Sequence, residues 1–132
     1  MNFLLDTHSF LWALMDPDKL SDHTTQILEN SANEIVLSVM SFWEISLKFA
    51  LGKLDLKGIT PAEMPQAARE MRLTILPVGS EDAATYHTLR KTIHKDPFDR
   101  MIVWQCIRRQ WSLISSDGLL DLYKSQGLIL VR

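Results

Sequence analysis

The run Ile35-Val36-Leu37-Ser38-Val39 leads, one residue later, into Ser41-Phe42-Trp43-Glu44. The first stretch is short, apolar and without alternation, the pattern of a strand buried on both faces. In the second, a serine and a glutamate stand three apart, the spacing of a capping box. This predicts a helix that continues to about Leu51, where Gly52 ends it. A doubly buried strand that delivers the chain straight into a helix is the unit from which parallel α/β sheets are built.

The same unit recurs on either side. Upstream, Asn2-Phe3-Leu4-Leu5-Asp6 is an apolar run ending in an acid, and a helix follows over residues 7–15 with Phe10, Leu11 and Leu14 on one face. Asp16-Pro17-Asp18 breaks that helix, and residues 20–30 form another, capped by Ser21 or Asp22. Downstream, residues 53–58 are a short connector and residues 61–71 a helix that Pro65 jogs. Residues 73–78 are a strand interrupted late by Pro77, and Ser80-Glu81-Asp82 opens a helix running through Tyr86, Leu89 and Ile93. Asp96 before Pro97 is a helix start, since proline is pre-set for the first helical position and aspartate caps free amides. That helix carries Met101, Ile102, Val103, Trp104, Cys106 and Ile107 and ends near Gln110. Leu113-Ile114-Ser115-Ser116 is a strand stopped by Asp117-Gly118, and Leu128-Ile129-Leu130-Val131 closes the chain. Apolar strands separated by helices imply an α/β domain: a mostly parallel sheet of about five strands, covered on both faces as a three-layer α/β/α sandwich.

Composition bounds the function. With 132 residues, 46% hydrophobic and 23% charged, the chain reads as one globular domain spanning residues 1–132. A net charge of -2 gives no general basic signal, so any polyanion must be met by local bases or by metal. The single cysteine, Cys106, excludes an internal disulfide and suits a reducing compartment. It lies in an apolar helix, which favours a buried structural thiol. The N-terminus has Asp6 and His8 and no basic leader, and no apolar run approaches ~20 residues. A cytoplasmic protein without a membrane segment is expected.

In parallel sheets, ligands bind beyond the carboxyl ends of the strands. Four acids map to that edge: Asp6 ends the first strand, Glu44 lies one turn past the second, Asp99 opens the helix leading to a later strand, and Asp117 ends that strand. Each has a structural reading. Asp6 and Asp99 suit helix N-termini, Glu44 completes a capping box, and Asp-Gly favours a turn. Together they point to something else, because clustered carboxylates stay ionised only beside a compensating cation. Oxygen ligands fit a hard divalent ion, and the His/Cys set that zinc requires is missing. His8, His23, His87 and His94 are scattered and read as surface, packing or supporting groups.

These segments carry a resemblance. Leu4-Leu5-Asp6-Thr7-His8, Ser41-Phe42-Trp43-Glu44-Ile45 with Lys48 and Gly52-Lys53-Leu54, His94-Lys95-Asp96-Pro97-Phe98-Asp99-Arg100, and Ser115-Ser116-Asp117 together resemble the PIN-domain ribonucleases, and in particular the VapC-type toxins of bacterial toxin-antitoxin pairs. The resemblance covers nearly the whole chain. It implies a PIN-like sandwich and a metal-dependent endoribonuclease using Mg²⁺ or Mn²⁺, whose products carry a 5′-phosphate and a 3′-hydroxyl. By position, Asp6, Glu44 and Asp99 become the main ligand set, Asp117 an additional or water-mediated ligand, and Thr7 and Ser115 orienting hydroxyls. Asp96 fits better as a cap or supporting acid. The implied partners are an RNA substrate, a cognate antitoxin protein and a second copy as a homodimer.

Trp104 and Cys106 depart from the small alanines usual in the family, and Ser115 from its usual threonine. Lys48, Lys53, Lys95 and Arg100 are the candidates for RNA contact, with ordinary solvated charge as the alternative. Trp12, Phe42, Trp43 and Phe49 read as core by default, and any exposed subset marks an interface. Two other classes compete: a phosphoacceptor signalling domain and a PIN-like binding module without catalysis. The first requires an acid after a central strand, and Val78-Gly79-Ser80 offers none.

Overall fold

A computed structural model describes residues 1–132. The strands are β1 (Asn2–Leu5), β2 (Glu34–Ser38), β3 (Thr74–Leu76), β4 (Ser112–Ile114) and β5 (Ile129–Val131). The helices are α1 (Thr7–Met15), α2 (Asp22–Glu29), α3 (Val39–Ala50), α4 (Met64–Glu70), α5 (Ser80–Thr85) and α6 (Pro97–Arg109). All strand pairings are parallel, in the order β3-β2-β1-β4-β5. The chain builds outward from β1 to β3, then returns to the other side of β1 with β4 and β5. The order therefore reverses between β1 and β4, and the crevice at their carboxyl ends is where such sheets hold ligands.

Register explains why the middle strands lack alternation. Phe3 lies between Ile35 and Ser112, Leu4 between Val36 and Leu113, and Leu5 between Leu37 and Ile114. Phe3, Leu5, Ile35, Leu37 and Ile114 pack into one core with Phe10 and Leu11 of α1, Ile27 of α2, Ile45 of α3 and Met64 and Ala68 of α4. Leu4, Val36 and Leu113 face a second core with Ile102, Val103, Trp104 and Cys106 of α6 and with Leu120, Tyr123 and Leu128. Helices on both faces make the three layers expected of the sequence. Trp104 fits its crowded helix by burying its indole and donating Nε1–H to Thr85 Oγ1 at 3.2 Å. Cys106 is free and fully buried, and burial pushes its thiol pKa up.

The α5–α6 contact is built on charge. Asp82 is fully buried and accepts from Arg109 Nη1 at 2.9 Å, Arg109 Nη2 at 3.1 Å and the Gly79 N–H at 3.1 Å, and it also pairs with Arg108. Burial alone would raise its pKa. The guanidinium of Arg109, the Gly79 amide and Arg108 outweigh burial and hold the carboxyl well below the usual range.

Several local expectations are corrected. Ser38, the last residue of β2, caps α3 by accepting from the Met40 N–H at 3.1 Å. The helix therefore starts at Val39, and Ser41 and Glu44 are interior residues released for other contacts. Residues 61–71 divide into a 3-10 turn, Pro61–Glu63, and α4. The helix opened by Ser80 stops at Thr85 with one 3-10 turn, Tyr86–Thr88, after it. Beyond that turn Leu89 is extended (φ -67°, ψ 117°), and the carbonyls of Leu89 and Arg90 accept from Arg100 at 3.2 and 3.4 Å. Leu89 turns inward and Ile93 is left 82% exposed. A 3-10 helix, Gly118–Gln126, occupies a stretch in which the sequence predicts no element.

Two boundaries fall as expected. Ser21 is the cap of α2, and Gly52, at φ 72°, closes α3 in the left-handed region that disfavours side chains. Of the aromatic residues expected in the core, Phe42 is half-buried, whereas Trp43 and Phe49 are exposed. They lie on α3, where exposed Leu47 and, at the C-cap, exposed Leu51 follow Trp43 at helical spacing. No helix is long and apolar enough to cross a membrane.

Candidate functional site

Each acid reaches the carboxyl edge by a different local device. Asp6 follows β1 directly, its amide donating to Ile114 O of β4 at 3.1 Å. Its Oδ1 accepts from the Ser9 N–H at 2.8 Å and caps α1. Thr7 then donates from Oγ1 to Ser41 Oγ at 2.9 Å, a buried link that ties the start of α1 to the first turn of α3. Glu44 lies one turn further along α3 and is almost completely buried. Its Oε2 pairs with Lys48, while its Oε1 is buried with no hydrogen-bond partner. Burial works to lower the Lys48 pKa, but Glu44 outweighs it and raises it, so the lysine stays charged.

From the other side comes the start of α6. Asp96 Oδ1 accepts from the N–H groups of Phe98 at 2.9 Å and Asp99 at 3.3 Å, so Asp96 is the cap. Asp99 is thereby freed from capping. Its Oδ2 meets His94 Nε2 at 3.2 Å. The other nitrogen of the imidazole, Nδ1, lies 2.8 Å from the buried Tyr123 hydroxyl. Asp117 caps the following 3-10 helix through the Leu119 N–H at 2.9 Å, and its own N–H donates to Ser115 Oγ at 3.1 Å.

Two groups of ligand atoms result, each within 4.8 Å: Glu44 with Asp96 and Asp99, and His94 with Asp99 and Asp117. Asp99 belongs to both. Burial first, then the charges of Asp96 and Glu44, raise its pKa to about 6 against the opposing pull of His94. Of the four acids placed on this edge by the sequence, Asp99 thus has Glu44 in one group and Asp117 in the other. Asp6 stands at the same edge but outside both groups, with one oxygen committed to α1. Thr7 and Ser115 are buried supports, holding Ser41 and the Asp117 turn.

Among the basic candidates, Lys48 is in contact with Glu44 and Lys95 is exposed beside the cluster's loop. Lys53 lies past the end of α3, exposed and in no ion pair. Arg100 is buried, its guanidinium donating to the Tyr86 and Tyr123 hydroxyls. Sequence reasoning places Asp96 only as a cap or supporting acid and His94 only as a surface, packing or supporting group, not as members of a ligand group. The Asp-Pro start accounts for Asp96 as a cap without requiring it as a ligand, and nothing local to His94 shows that the loop folds it onto Asp99.

The donor set suits a hard divalent cation. Three carboxylates crowd together, the one lysine paired with them holds a single oxygen of Glu44, and Glu44 Oε1 is buried without a partner. Such an atom costs free energy that a coordinated ion removes.

Fold and site together define a parallel α/β domain with an acid-lined centre at its topological switch point. The PIN domain family model matches residues 3–124, and the chain belongs to that family. Ribonuclease VapC22 of Mycobacterium tuberculosis (strain ATCC 25618 / H37Rv) is 27% identical over 121 residues, covering 92% of this chain and 91% of that protein. Two crystal structures share the fold. One is VapBC2 from Rickettsia felis bound to a promoter DNA fragment, with TM-score 0.70, 19% identity and 99% and 98% of the two chains covered. The other is DNA-bound VapBC from Salmonella typhimurium, with TM-score 0.68, 17% identity and 99% and 97% covered.

Proposed function

We propose that this chain is a Mg²⁺- or Mn²⁺-dependent endoribonuclease, the toxin of a toxin-antitoxin pair. The observation that carries the chemistry is the convergence of Glu44, Asp96 and Asp99 within 4.8 Å, with Glu44 Oε1 buried and unpartnered. Glu44 and Asp99 would hold the cation with Asp96 and, on the far side of Asp99, Asp117. Asp6, at the end of β1 and outside both groups, has its second oxygen free of capping and would be a further ligand. A bound divalent ion supplies a lowered pKa for a water nucleophile and neutralises charge on the phosphodiester.

The chain's own residues do the positioning. Lys48 holds Glu44 Oε2 and leaves Oε1 for the site. His94 orients Asp99 through Oδ2, and the Thr7–Ser41 link fixes α1 against α3 beside Glu44. In-line hydrolysis of the strand leaves a 5′-phosphate and a 3′-hydroxyl. RNA is favoured as substrate by the family and by the relative named as a ribonuclease.

The partner reading rests on two supports. The chains that share the fold include those of VapBC complexes, and α3 exposes Trp43, Leu47 and Leu51 as an apolar stripe beside the site. An antitoxin segment covering this stripe, and a homodimer in the cytoplasm, complete the proposal. Incubation of the purified chain with single-stranded RNA in Mg²⁺ tests the chemistry. Products with 5′-phosphates that vanish in EDTA support it, and undiminished cutting in EDTA contradicts it.

A further inference from the structure

Beside the acids lies an open pocket of about 380 Å³ lined by Lys91, Thr92, His94, Lys95 and Arg100. No acidic and no apolar side chain lines it. Its size is that of a small-ligand site, ~300–1,000 Å³, but its wall is cationic and polar where such sites are usually apolar. Arg100 is the informative member. Its guanidinium is buried and forms no ion pair, whereas Arg108 and Arg109 both pair with Asp82. Nε donates to Tyr86 OH at 2.9 Å, Nη1 to Tyr123 OH at 3.0 Å and Arg90 O at 3.4 Å, and Nη2 to Leu89 O at 3.2 Å. All four acceptors are neutral, and of its five N–H groups one on Nη2 is left over. A buried charge without a counter-ion is costly, and here it borders a pocket flanked by two exposed lysines.

The pocket and the acid centre share one wall. His94 lines the pocket, and its Nε2 faces Asp99 Oδ2 while its Nδ1 faces the Tyr123 hydroxyl that accepts from Arg100. A strand whose scissile phosphodiester sits at the acids therefore places a neighbouring phosphate within reach of Lys91, Lys95 and Arg100. We infer that this pocket is an anion subsite that takes a phosphate adjacent to the cut linkage, setting which bond of the strand is aligned with the acids. This rests on the ribonuclease reading above.

The test uses Lys91→Gln/Lys95→Gln, two exposed side chains in no ion pair, beside wild type. First, in EDTA, pyrophosphate should raise the melting temperature of wild type and not of the double variant. Second, in Mg²⁺, single-stranded RNAs each carry one neutral methylphosphonate at a different linkage near the cut. One position should lower kcat/KM several-fold in wild type and have little effect in the double variant. The salt slope of log kcat/KM should fall by about 0.7, the loss of one phosphate contact on a single strand.

Equal methylphosphonate effects and equal slopes in the two proteins would overturn the subsite and leave the ribonuclease standing. A pyrophosphate shift without that coupling would assign the pocket to a free anion instead, also against the inference. A shift produced by a glutamate-rich peptide and not by pyrophosphate would assign it to a protein carboxylate and overturn the subsite as well. If wild type cuts none of the RNAs, the ribonuclease reading itself falls and takes the subsite with it.

Discussion

Trp43 and Phe98 stand edge to face, ring centroids 5.3 Å apart and planes at 89°, and each immediately precedes an acid of the centre, Glu44 and Asp99. The pair joins α3 to the start of α6 and fixes how closely two like charges approach. Such pairs contribute about 0.5–1.5 kcal/mol beyond their buried area. Phe98→Ala should therefore weaken Mn²⁺ binding, read by calorimetry, as well as lower stability. A variant that melts lower yet binds Mn²⁺ as wild type does would separate the ring pair from the site.

Asp99 links site to stability through pH. Its pKa is raised to about 6 in the fold, by burial first and then by Asp96 and Glu44, against ~3.9 for an unfolded aspartate. The ionised form is thus penalised by folding. The metal-free protein should gain stability as pH falls from about 7 toward 4, by on the order of 2–3 kcal/mol. Asp99→Asn removes the penalty without removing a cap, since Asp96 is the cap. In EDTA at neutral pH it should melt several degrees above wild type and lose the pH dependence, as thermal scans across that range will show.

Asp82 has the opposite sign. Arg109, Gly79 and Arg108 depress its pKa against the effect of burial, so its contribution is intact above the unfolded value near ~4 and is lost as acid titrates it further down. Asp82→Ala strands two guanidinium groups against a buried site and should cost about 3–5 kcal/mol in urea unfolding. A loss below about 1 kcal/mol, on the ordinary scale of surface pairs, would show that α5 is not held by this cluster.

Asp96 performs two jobs that substitution can divide. Asparagine caps as well as aspartate does, whereas alanine costs about 1 kcal/mol. Asp96→Asn should keep the stability of α6 and weaken the cation site; Asp96→Ala should lose both. Equal Mn²⁺ affinity in Asp96→Asn and wild type would confine Asp96 to capping.

The layers and the edge were legible because they depend on short-range pattern. Doubly buried strands such as Leu4-Leu5 and Val36-Leu37 cannot alternate, and the acids follow strand ends. What was not legible depends on contacts between distant segments. The capping box at Ser41 and Glu44 dissolved because Ser38 caps α3 with no intervening loop, releasing Ser41 to Thr7 and Glu44 to Lys48. The helix opened by Ser80 stops short of Ile93, and Leu89 turns extended to join the core that α6 covers, a contact between segments that local pattern does not show. His94 reaches Asp99 only because Tyr123, from the far end of the chain, supports its ring.

The most direct measurement is a Mn²⁺ titration of wild type and Glu44→Gln, following cleavage of a labelled single-stranded RNA and the melting temperature in the same samples. In wild type, cleavage and melting temperature should rise together over one range of Mn²⁺, with a stabilisation of about 2.7 kcal/mol at 100 times the dissociation constant. Glu44→Gln, which keeps the shape and removes the charge, should show neither rise. Cleavage that is already complete in EDTA, or a Glu44→Gln protein that cuts and is stabilised like wild type, would contradict the acid centre as the seat of the activity.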